Sequence, residues 1–596
     1  MPPSVPADAS PSPFSPTRPF RRGGPLSVQR LRTSSGGLLA LALLVGAGAA
    51  GAAVVFRWLV ETFTLILSGH PDYAAVPGAA HPALPGLGRW FVIGAPVVAG
   101  LLYGPLVYFF AREARGHGVP EVMYAVARNG GRIKPQVAAV KALASALCIG
   151  GGGSVGREGP IVQIGSALGS TIGRIVRVPE PRMRVLVACG AAGGIAATFN
   201  APLAGVFFAM ELILADFTAQ SFGLVVLAAV TSSALGRAVL GDEAFLSLPT
   251  FTVEHTTEYL LFAVLGILAG GVGVGFTKVL YRIEDLCDAV WRGPEWLRPA
   301  VGGILLGLVL LLLPQLYGVG YPVLGNAIDG RYAVGFLLLL LVGKMVATSL
   351  TIGIGGSGGV FAPSLFIGAM LGSAFGAVVH AVMPGQVGPI GAYGLIGMGA
   401  VFAGAARAPI TAVIIMFELT GEYSIILPLM TAIVIASLVS HRLTPDTIYT
   451  LKLRRRGVDL SAPESRAVAP GIRVHDVMGP LPVAVPSDRP IREVASLLAA
   501  AHYGVLPITG PGGDYLGVLT ARAVSEALAD GRHDVDPAEL LSELPEALRE
   551  DDHLDRAIEA LDHSGIGAIP VLAADGDEVV GWLDYRAALG AMHPSA

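Results

Sequence analysis

Two glycine-proline turns of the same layout stand in the two halves of this chain. The segment Gly156–Pro160 carries a carboxylate, Glu158, at the expected start of a helix, and Gly359–Pro363 stands in the same register 203 positions further on. The first N–H groups of a helix have no partner within the helix, and the helix dipole is positive at that end. Several such ends, brought together, can bind an anion without a full positive charge, which suits rapid release.

A second pair of turns follows the same plan. Asn200–Pro202 leads across an apolar interval to Glu211, and Arg407–Pro409 leads to Glu418. Long repeats of this kind, with Gly and Pro interrupting apolar segments at matching places, indicate broken helices that meet near the middle of a membrane. We therefore predict a transport protein with an inverted internal repeat. The equivalence of Glu211 and Glu418 favours a structural role for both over a place in a proton path.

The composition agrees with an all-α polytopic membrane protein. Hydrophobic residues make up 53%, charged residues 14%, and the mean hydropathy is +0.64. Strings such as Gly36–Ala53 and Ile425–Val439 are long enough to cross or enter hydrocarbon. The three cysteines predict neither a disulfide nor a metal framework. No cofactor, no metal and no enzymatic activity are expected, because neither a nucleophile-base constellation nor an acidic cluster is visible; a metal-ion transporter is a distant alternative.

The charges divide the chain into three parts. Residues 1–34 are rich in Pro, Ser and Arg and predict a disordered leader, 35–457 form the membrane domain, and 458–596 read as a soluble domain. Arginines cluster before the first apolar segment, and Lys452 and Arg454–Arg456 close the last one. Because cationic flanks favour the cytoplasm, both termini are predicted to lie there, with an even number of crossings of a plasma or inner membrane.

The soluble part contains a shorter internal repeat. Tyr503–Ile508 matches Ile566–Val571, and Gly517–Thr520 matches Gly581–Asp584. Each copy reads as helix, strand, turn, strand, helix. With the phrase His475–Met478 that opens it, this tail resembles a tandem pair of CBS (cystathionine-β-synthase-type) domains.

The resemblance also raises the question of an adenine nucleotide. CBS domains that hold a ribose generally place Asp three positions after the Thr or Ser that follows Gly and two hydrophobic residues. Here Ala523 follows Thr520, and Ala587 follows Asp584, at that spacing. Adenine nucleotide binding is therefore expected to be weak or absent.

Three motifs in order, Gly116–Pro120, Gly156–Pro160 and Gly359–Pro363, resemble the CLC family of chloride channels and proton-coupled chloride exchangers. The resemblance covers roughly residues 35 to 456. It implies chloride transport by a homodimer with one pore in each subunit. Exchanger and voltage- or pH-gated passive channel both remain open, and the exchanger is favoured because Glu158 and Tyr449 are both present.

The resemblance assigns roles to individual residues. It implies that Glu158 is a tethered anion that occupies the pore until it is protonated; a helix-start carboxylate stabilised by the dipole by about 0.3–1 kcal/mol is the structural alternative. Lys141 matches a family lysine thought to tune the pore potential, and an interfacial aromatic is the alternative for Tyr449. The expected anion-binding residues are His117, Gly118, Val119, Arg157, Gly159, Val360, Phe361 and Tyr449.

Two departures from the family pattern bear on function. His117 stands where many members have a serine whose hydroxyl helps to select chloride, so the identity of the anion is open. A neutral imidazole can donate one N–H, a charged one attracts anions, and in the alternative the side chain points away while the Gly118 and Val119 amides bind. Leu212 stands where many exchangers have an internal proton-transfer glutamate. Coupling through that carboxylate is therefore not supported.

Overall fold

The structure is a computed structural model that divides into two compact units, Met1–Leu460 and Ser461–Ala596. Nearly all of the leader expected at residues 1–34 lies outside the described part. The described residues are 32, 34–241, 258–385, 387–459 and 472–592, the last with short gaps at 481–484, 502–503, 512–514, 542–547, 565–566 and 577.

The first unit is built from helices of very unequal length, joined by short turns. Several of them end or begin at the glycine-proline turns of the repeat. They are α1 (Ser35–Ser68), α2 (Phe91–Phe110), α3 (Val119–Arg128), α4 (Gln136–Gly150), α5 (Glu158–Val176), α6 (Glu180–Phe199), α7 (Pro202–Phe208), α8 (Ala219–Leu240), α9 (Glu258–Val290), α10 (Arg298–Leu312), α11 (Tyr321–Ile328), α12 (Val334–Gly353), α13 (Phe361–Val382), α14 (Ile390–Ala406), α15 (Pro409–Thr420), α16 (Ile426–Leu443) and α17 (Thr450–Arg454).

Many of these helices have the length and composition of membrane spans. Within the described residues, eight helices are long and apolar enough to cross a membrane, and α1 and α9 reach 34 and 33 residues. Their outward faces leave large apolar side chains exposed, among them Trp58, Ile267 and Leu312. Such a surface is suited to hydrocarbon. The predicted all-helical membrane architecture is confirmed.

Glycines let the helices of each half cross with their backbones in contact. A Cβ added at Gly165 in α5 would lie 2.1 Å from the carbonyl oxygen of Gly190 in α6. In the second half, a Cβ at Gly368 in α13 would lie 2.3 Å from the carbonyl oxygen of Gly397 in α14. The small residues that recur after each glycine-proline turn are therefore the places where these helix pairs touch.

A glutamate from each half caps the start of a helix in the other half. Glu211 lies in a π-helical turn, Ala209–Leu214, and accepts hydrogen bonds from the first amides of α15 at 2.8 and 3.2 Å. Glu418, at the other end of α15, accepts from the first amides of α7 at 2.7 and 2.9 Å. Each carboxylate thus satisfies orphan N–H groups at a helix start in the opposite half. This geometry fits the structural role that the repeat predicts for both residues.

The second unit contains two copies of one small α/β arrangement. In each copy a short strand pairs parallel with a central strand, which pairs antiparallel with a third, and helices flank them. The helix–strand–turn–strand–helix order read from the sequence is present, and the short parallel strand is an addition that it did not predict. The elements are β1 (Val485–Pro486), α18 (Ile491–Ala500), β2 (Val505–Thr509), β3 (Tyr515–Thr520), α19 (Ala521–Ala529), β4 (Leu548–Arg549), α20 (Leu554–Ser564), β5 (Ala568–Leu572), β6 (Val579–Asp584) and α21 (Tyr585–Met592).

The two copies are joined through shared apolar and backbone contacts. Val505 and Val518 of the first copy pack with Ala568 and Trp582 of the second. The segment before the first copy crosses to the second. There Gly479 N–H donates to the Trp582 carbonyl at 2.7 Å, and the Gly479 carbonyl accepts from Trp582 N–H at 3.1 Å. The tandem copies therefore form one module rather than two independent domains.

Candidate functional site

The three motif loops meet and hydrogen-bond to one another through their backbones. Gly116 N–H donates to the Gly356 carbonyl at 3.0 Å. Gly156 and Gly359, which occupy the same register in the two halves, exchange N–H···O=C bonds of 2.8 and 2.7 Å. A local two-fold relation therefore passes between these glycines. It brings the starts of α3, α5 and α13 to one place.

Backbone contact at this junction explains why the loops need glycine. A Cβ at Gly159 would lie 2.0 Å from the carbonyl oxygen of His117, and one at Gly359 would lie 2.7 Å from the nitrogen of Gly159. Gly118 precedes α3 with φ of 85°, and a Cβ there would lie 2.7 Å from the Gly159 carbonyl oxygen. Any side chain at these positions would push the helix starts apart.

Glu158 is buried at the first position of α5, with 2% of its surface exposed. Its Oε2 accepts a hydrogen bond from the backbone N–H of Ala362, in the first turn of α13, at 3.4 Å. Its Oε1 accepts one from the hydroxyl of Tyr321 at 2.8 Å. The carboxylate of one half thus occupies the helix start of the other half, where the free N–H groups and the dipole favour a negative charge.

Tyr321 is a site residue that the sequence analysis missed. It is the first residue of α11 and follows Gly320, where the chain turns with φ of 89°. Both residues belong to the segment Gly318–Pro322. This segment repeats the G-x-G-x-P layout of Gly116–Pro120, displaced by 202 positions. The signal was therefore present in the sequence as a fourth glycine-proline turn, and only three of its five positions are identical between the halves.

His117 is buried, with 1% of its surface exposed. Both of its ring nitrogens lack a hydrogen-bond partner among the described residues. The imidazole lies 6.3 Å from the ring of Tyr281, and Lys452 and Lys141 are near enough to interact with it electrostatically. A buried polar group without a partner is costly, so an imidazole here is suited to meet a ligand.

Two buried lysines occupy equivalent places in the two halves. Lys141 donates from Nζ to the carbonyls of Ala114 and Gly116 at 2.9 and 2.7 Å. Lys344, 203 positions later, donates to the carbonyls of Gly318 and Val319, both at 3.0 Å. Each lysine therefore holds the loop that leads into a helix start of the site, in addition to adding positive charge near it.

The remaining predicted ligands lie around the start of α13. Val360 precedes that helix and Phe361 opens it, with the Phe361 ring 4.5 Å from that of Phe402. Tyr449 stands before α17, has 1% of its surface exposed and interacts electrostatically with Glu158. The structure thus brings Tyr449 into the interior of the unit rather than to an interfacial belt.

A cavity of about 370 Å³ reaches the site from the side of Tyr321. Arg157 lines it, and its guanidinium carbon lies 5.2 Å from the centre of the Tyr321 ring and 5.7 Å from that of Phe199. Cation–π contacts of this kind orient the guanidinium. Arg157 therefore places a fixed positive charge in this cavity, which we call the Arg157 cavity.

A second cavity, of about 280 Å³, lies on the side of His117. Tyr281 and Lys452 line it, and Lys452 pairs with Glu284 at 2.9 Å. Its charged lining holds more cations than anions, so it attracts anions. The charged residues are Arg112, Arg115, Glu284, Asp288, Lys452, Arg455 and Arg456.

Two expectations from the sequence concern a proton-transfer carboxylate and a metal site. Leu212 is buried in the same π-helical turn as Glu211, so no carboxylate is present at that position. Among the described residues, no three His, Cys, Asp or Glu side chains are grouped so that they would hold a metal ion.

The fold and the site define a polytopic integral membrane protein whose polar centre is built from helix starts of two repeated halves. The chain belongs to the voltage-gated chloride channel family, the CLC family, whose model matches residues 99–441. The model of the CBS domain matches residues 474–530 and 539–594. Both predicted resemblances are confirmed.

Individual relatives agree with this assignment. The chain is 33% identical to a putative chloride channel protein ClcB-like of Ralstonia nicotianae, over 71% of this chain and 98% of that protein. It is 37% identical to the H(+)/Cl(-) exchange transporter ClcA of Vibrio parahaemolyticus, over 59% of this chain and 76% of that protein. A solved structure, a slow cyanobacterial Cl−/H+ antiporter, matches with a TM-score of 0.64 and 26% identity over 71% of this chain and 98% of that chain.

The CBS module is expected to bind ATP and AMP only weakly, with no saturation at submillimolar concentrations. Thr520 caps α19 by accepting from Ala523 N–H at 3.2 Å, and Asp584 caps α21 by accepting from Ala587 N–H at 2.7 Å. Neither Ala523 nor Ala587 supplies a carboxylate to the ribose, which removes charge-assisted hydrogen bonds worth about 1.5–3 kcal/mol each. Equilibrium dialysis of labelled nucleotide against the full-length protein tests this, and submillimolar binding would refute it.

Proposed function

We propose that the chain transports chloride or a similar small anion across the membrane, in exchange for protons, through the site where the motif loops meet. The similarity to a putative chloride channel protein and to an H(+)/Cl(-) exchange transporter supports the assignment. The observation that carries it is the contact of Glu158 Oε2 with Ala362 N–H, at the helix start of the opposite half. A tethered carboxylate here takes the place of a free anion.

The mechanism follows from competition for those helix starts. Ionised Glu158 fills the positive end of α13 and excludes the transported anion. When a proton reaches the carboxylate, the side chain loses its negative charge and with it the favourable interaction with the helix end and with Arg157. An anion from either cavity then enters, held by backbone amides near Gly118, Val119, Gly159, Val360 and Phe361 and by the Tyr449 hydroxyl. Because no full charge binds it, it leaves rapidly.

A passive chloride channel is the second candidate, and Leu212 is the observation that favours it. Without a carboxylate at that position, protons need another route to Glu158. A reversal-potential measurement under a pH gradient separates the two candidates. An exchanger shifts its reversal potential with the pH gradient, whereas a channel keeps the reversal potential of the anion alone.

We also propose how the chain is divided into domains and on which side of the membrane its ends lie. Residues 35–457 form the membrane domain of a homodimer with one pathway per subunit, residues 1–34 are a cytoplasmic leader, and 458–596 form a cytoplasmic CBS pair in a plasma or inner membrane protein. The cations of α17 and the segment after it, which include Lys452, support a cytoplasmic location by the positive-inside rule. The protein acts as a transporter and not as an enzyme. Protease cleavage of the CBS pair in inverted but not in right-side-out vesicles tests the orientation.

Replacing His117 by Ser is expected to raise the preference for chloride over larger anions and to remove the contribution of the imidazole to the pH response of transport. The change puts a hydroxyl in place of an imidazole whose nitrogens have no partner among the described residues. Competitive uptake of labelled chloride against nitrate and iodide, at several pH values, measures both effects. If both the selectivity and the pH profile stay as in the wild type, the imidazole does not face the anion.

A further inference from the structure

The hydroxyl of Tyr321 is placed to control Glu158. It donates to Oε1 of the carboxylate at 2.8 Å, while Oε2 receives the weaker 3.4 Å bond from Ala362. A hydrogen bond donated to a carboxylate stabilises its ionised form over its protonated form. Tyr321 therefore acts on the charge state of Glu158 and on its position at the same time.

The ring of Tyr321 is fixed between the carboxylate and the Arg157 cavity. It lines that cavity, and its centre lies 5.2 Å from the Arg157 guanidinium carbon. The backbone that carries it is fixed as well, because Gly320 takes a positive φ and buried Lys344 holds the carbonyls of Gly318 and Val319. The hydroxyl is thus delivered to Glu158 by a loop with little freedom to move.

The other charged and titratable groups around Glu158 come from three further places. Arg157 precedes it in the chain, and Lys344 of α12 and Tyr449, before α17, interact with it electrostatically. Arg157 and Lys344 act on the carboxylate through space, whereas Tyr321 bonds it directly. Of these groups, Tyr321 is the one whose hydrogen bond is broken when Glu158 leaves its present position.

We propose that Tyr321 is a latch that holds ionised Glu158 in the blocking position and sets the pH at which acid opens the pathway. The proposal rests on the gating function proposed above for Glu158. A proton on the carboxylate weakens its acceptance of the Tyr321 hydrogen bond, so protonation and release occur together. The tyrosine hydroxyl keeps its own proton throughout and only positions the gate.

Tyr321→Phe tests the latch, with Tyr317→Phe as its matched control. Tyr317 lines the same cavity and also donates one buried hydrogen bond, but to the Gly150 carbonyl at 2.6 Å and not to Glu158. In proteoliposomes, Tyr321→Phe is expected to shift the midpoint of acid-activated anion flux by about one pH unit towards higher pH. Flux at pH 7 rises severalfold, while Tyr317→Phe keeps the wild-type midpoint.

A double variant tests whether Tyr321 acts through Glu158. Combined with Glu158→Gln, Tyr321→Phe is expected to change neither the flux nor its pH profile, because the latch then has no ionised gate to hold. Tyr321→Met provides a second way to remove the hydroxyl and is expected to shift the midpoint in the same direction, should the Phe variant prove unstable.

The possible results distinguish failure of the role proposed for Tyr321, the latch, from failure of the gating role proposed for Glu158. An unshifted or lowered midpoint in Tyr321→Phe, with acid activation still lost in Glu158→Gln, overturns the latch and leaves the proposed function standing. Acid activation that survives in Glu158→Gln, and also in its double change with His117→Ser, overturns both. An equal shift in Tyr317→Phe also overturns the latch, since the effect would then follow from loss of any hydrogen bond in the cavity wall.

Discussion

Replacing Glu158 by Gln is expected to leave anion flux running while abolishing its activation by acid and any proton movement coupled to it. Glutamine keeps the shape of the side chain but neither carries a negative charge nor exchanges a proton. The positive start of α13, now held by the Glu158 carboxylate through Ala362 N–H, is then open to the anion at every pH. Acid has nothing left to neutralise at this position.

Chloride efflux and proton uptake, recorded together in proteoliposomes under an imposed chloride gradient, measure the effect. Glu418→Gln is the matched control, because Glu418 is also a carboxylate that accepts two amide hydrogen bonds at a helix start, in its case that of α7. The control is expected to keep the wild-type pH profile. Uphill proton movement that persists in Glu158→Gln would make Glu158 a structural helix-start carboxylate. Residual acid activation without proton movement points to His117, and the double change with His117→Ser is expected to remove it.

Replacing Gly159 by Ala is expected to destroy the site and to destabilise the membrane domain by about 3 kcal/mol or more. The new methyl group would lie 2.0 Å from the His117 carbonyl oxygen and 3.0 Å from the Cα of Gly359. Both neighbours are backbone atoms of loops that hydrogen-bond to each other, so neither moves aside without separating the starts of α3, α5 and α13. Anion flux should fall to background in the protein that survives purification.

Gly94→Ala is the control for that substitution. Gly94 lies on an exposed face of α2, with no atom within 4 Å of an added Cβ, so alanine there is expected to be neutral or slightly stabilising. Thermal unfolding in detergent, monitored with chloride flux from the same preparations, measures both variants. A Gly159→Ala protein with wild-type stability and flux would contradict the close approach of the three loops.

Much of this site could be predicted from the sequence, because the repeated positions hold glycine and proline, which particular backbone conformations require. The matched turns at Gly156 and Gly359 predicted a common junction, and the structure has these two glycines bonded to each other. The equivalence of Glu211 and Glu418 predicted symmetry as well. It did not predict that each caps a helix of the opposite half, because that depends on how the halves interlock.

Tyr321 is the site residue that could not be predicted from the sequence. The segment Gly318–Pro322 shares only its glycines and proline with Gly116–Pro120, and the positions that differ hold the functional side chains. Whether a tyrosine hydroxyl reaches a carboxylate more than 160 positions away depends on loop dihedral angles and on the packing of Arg157. Those quantities arise only when the two halves are assembled.

In the proposed mechanism, the Glu158 carboxylate and the transported anion occupy the same helix start in turn. Anomalous diffraction from crystals soaked in bromide tests it most directly, with wild type and Glu158→Gln compared at neutral pH. We expect a bromide peak within hydrogen-bonding distance of Ala362 N–H in Glu158→Gln and none there in the wild type. A peak at that amide in the wild type with the carboxylate still in place, or no peak there in either protein, would contradict the account.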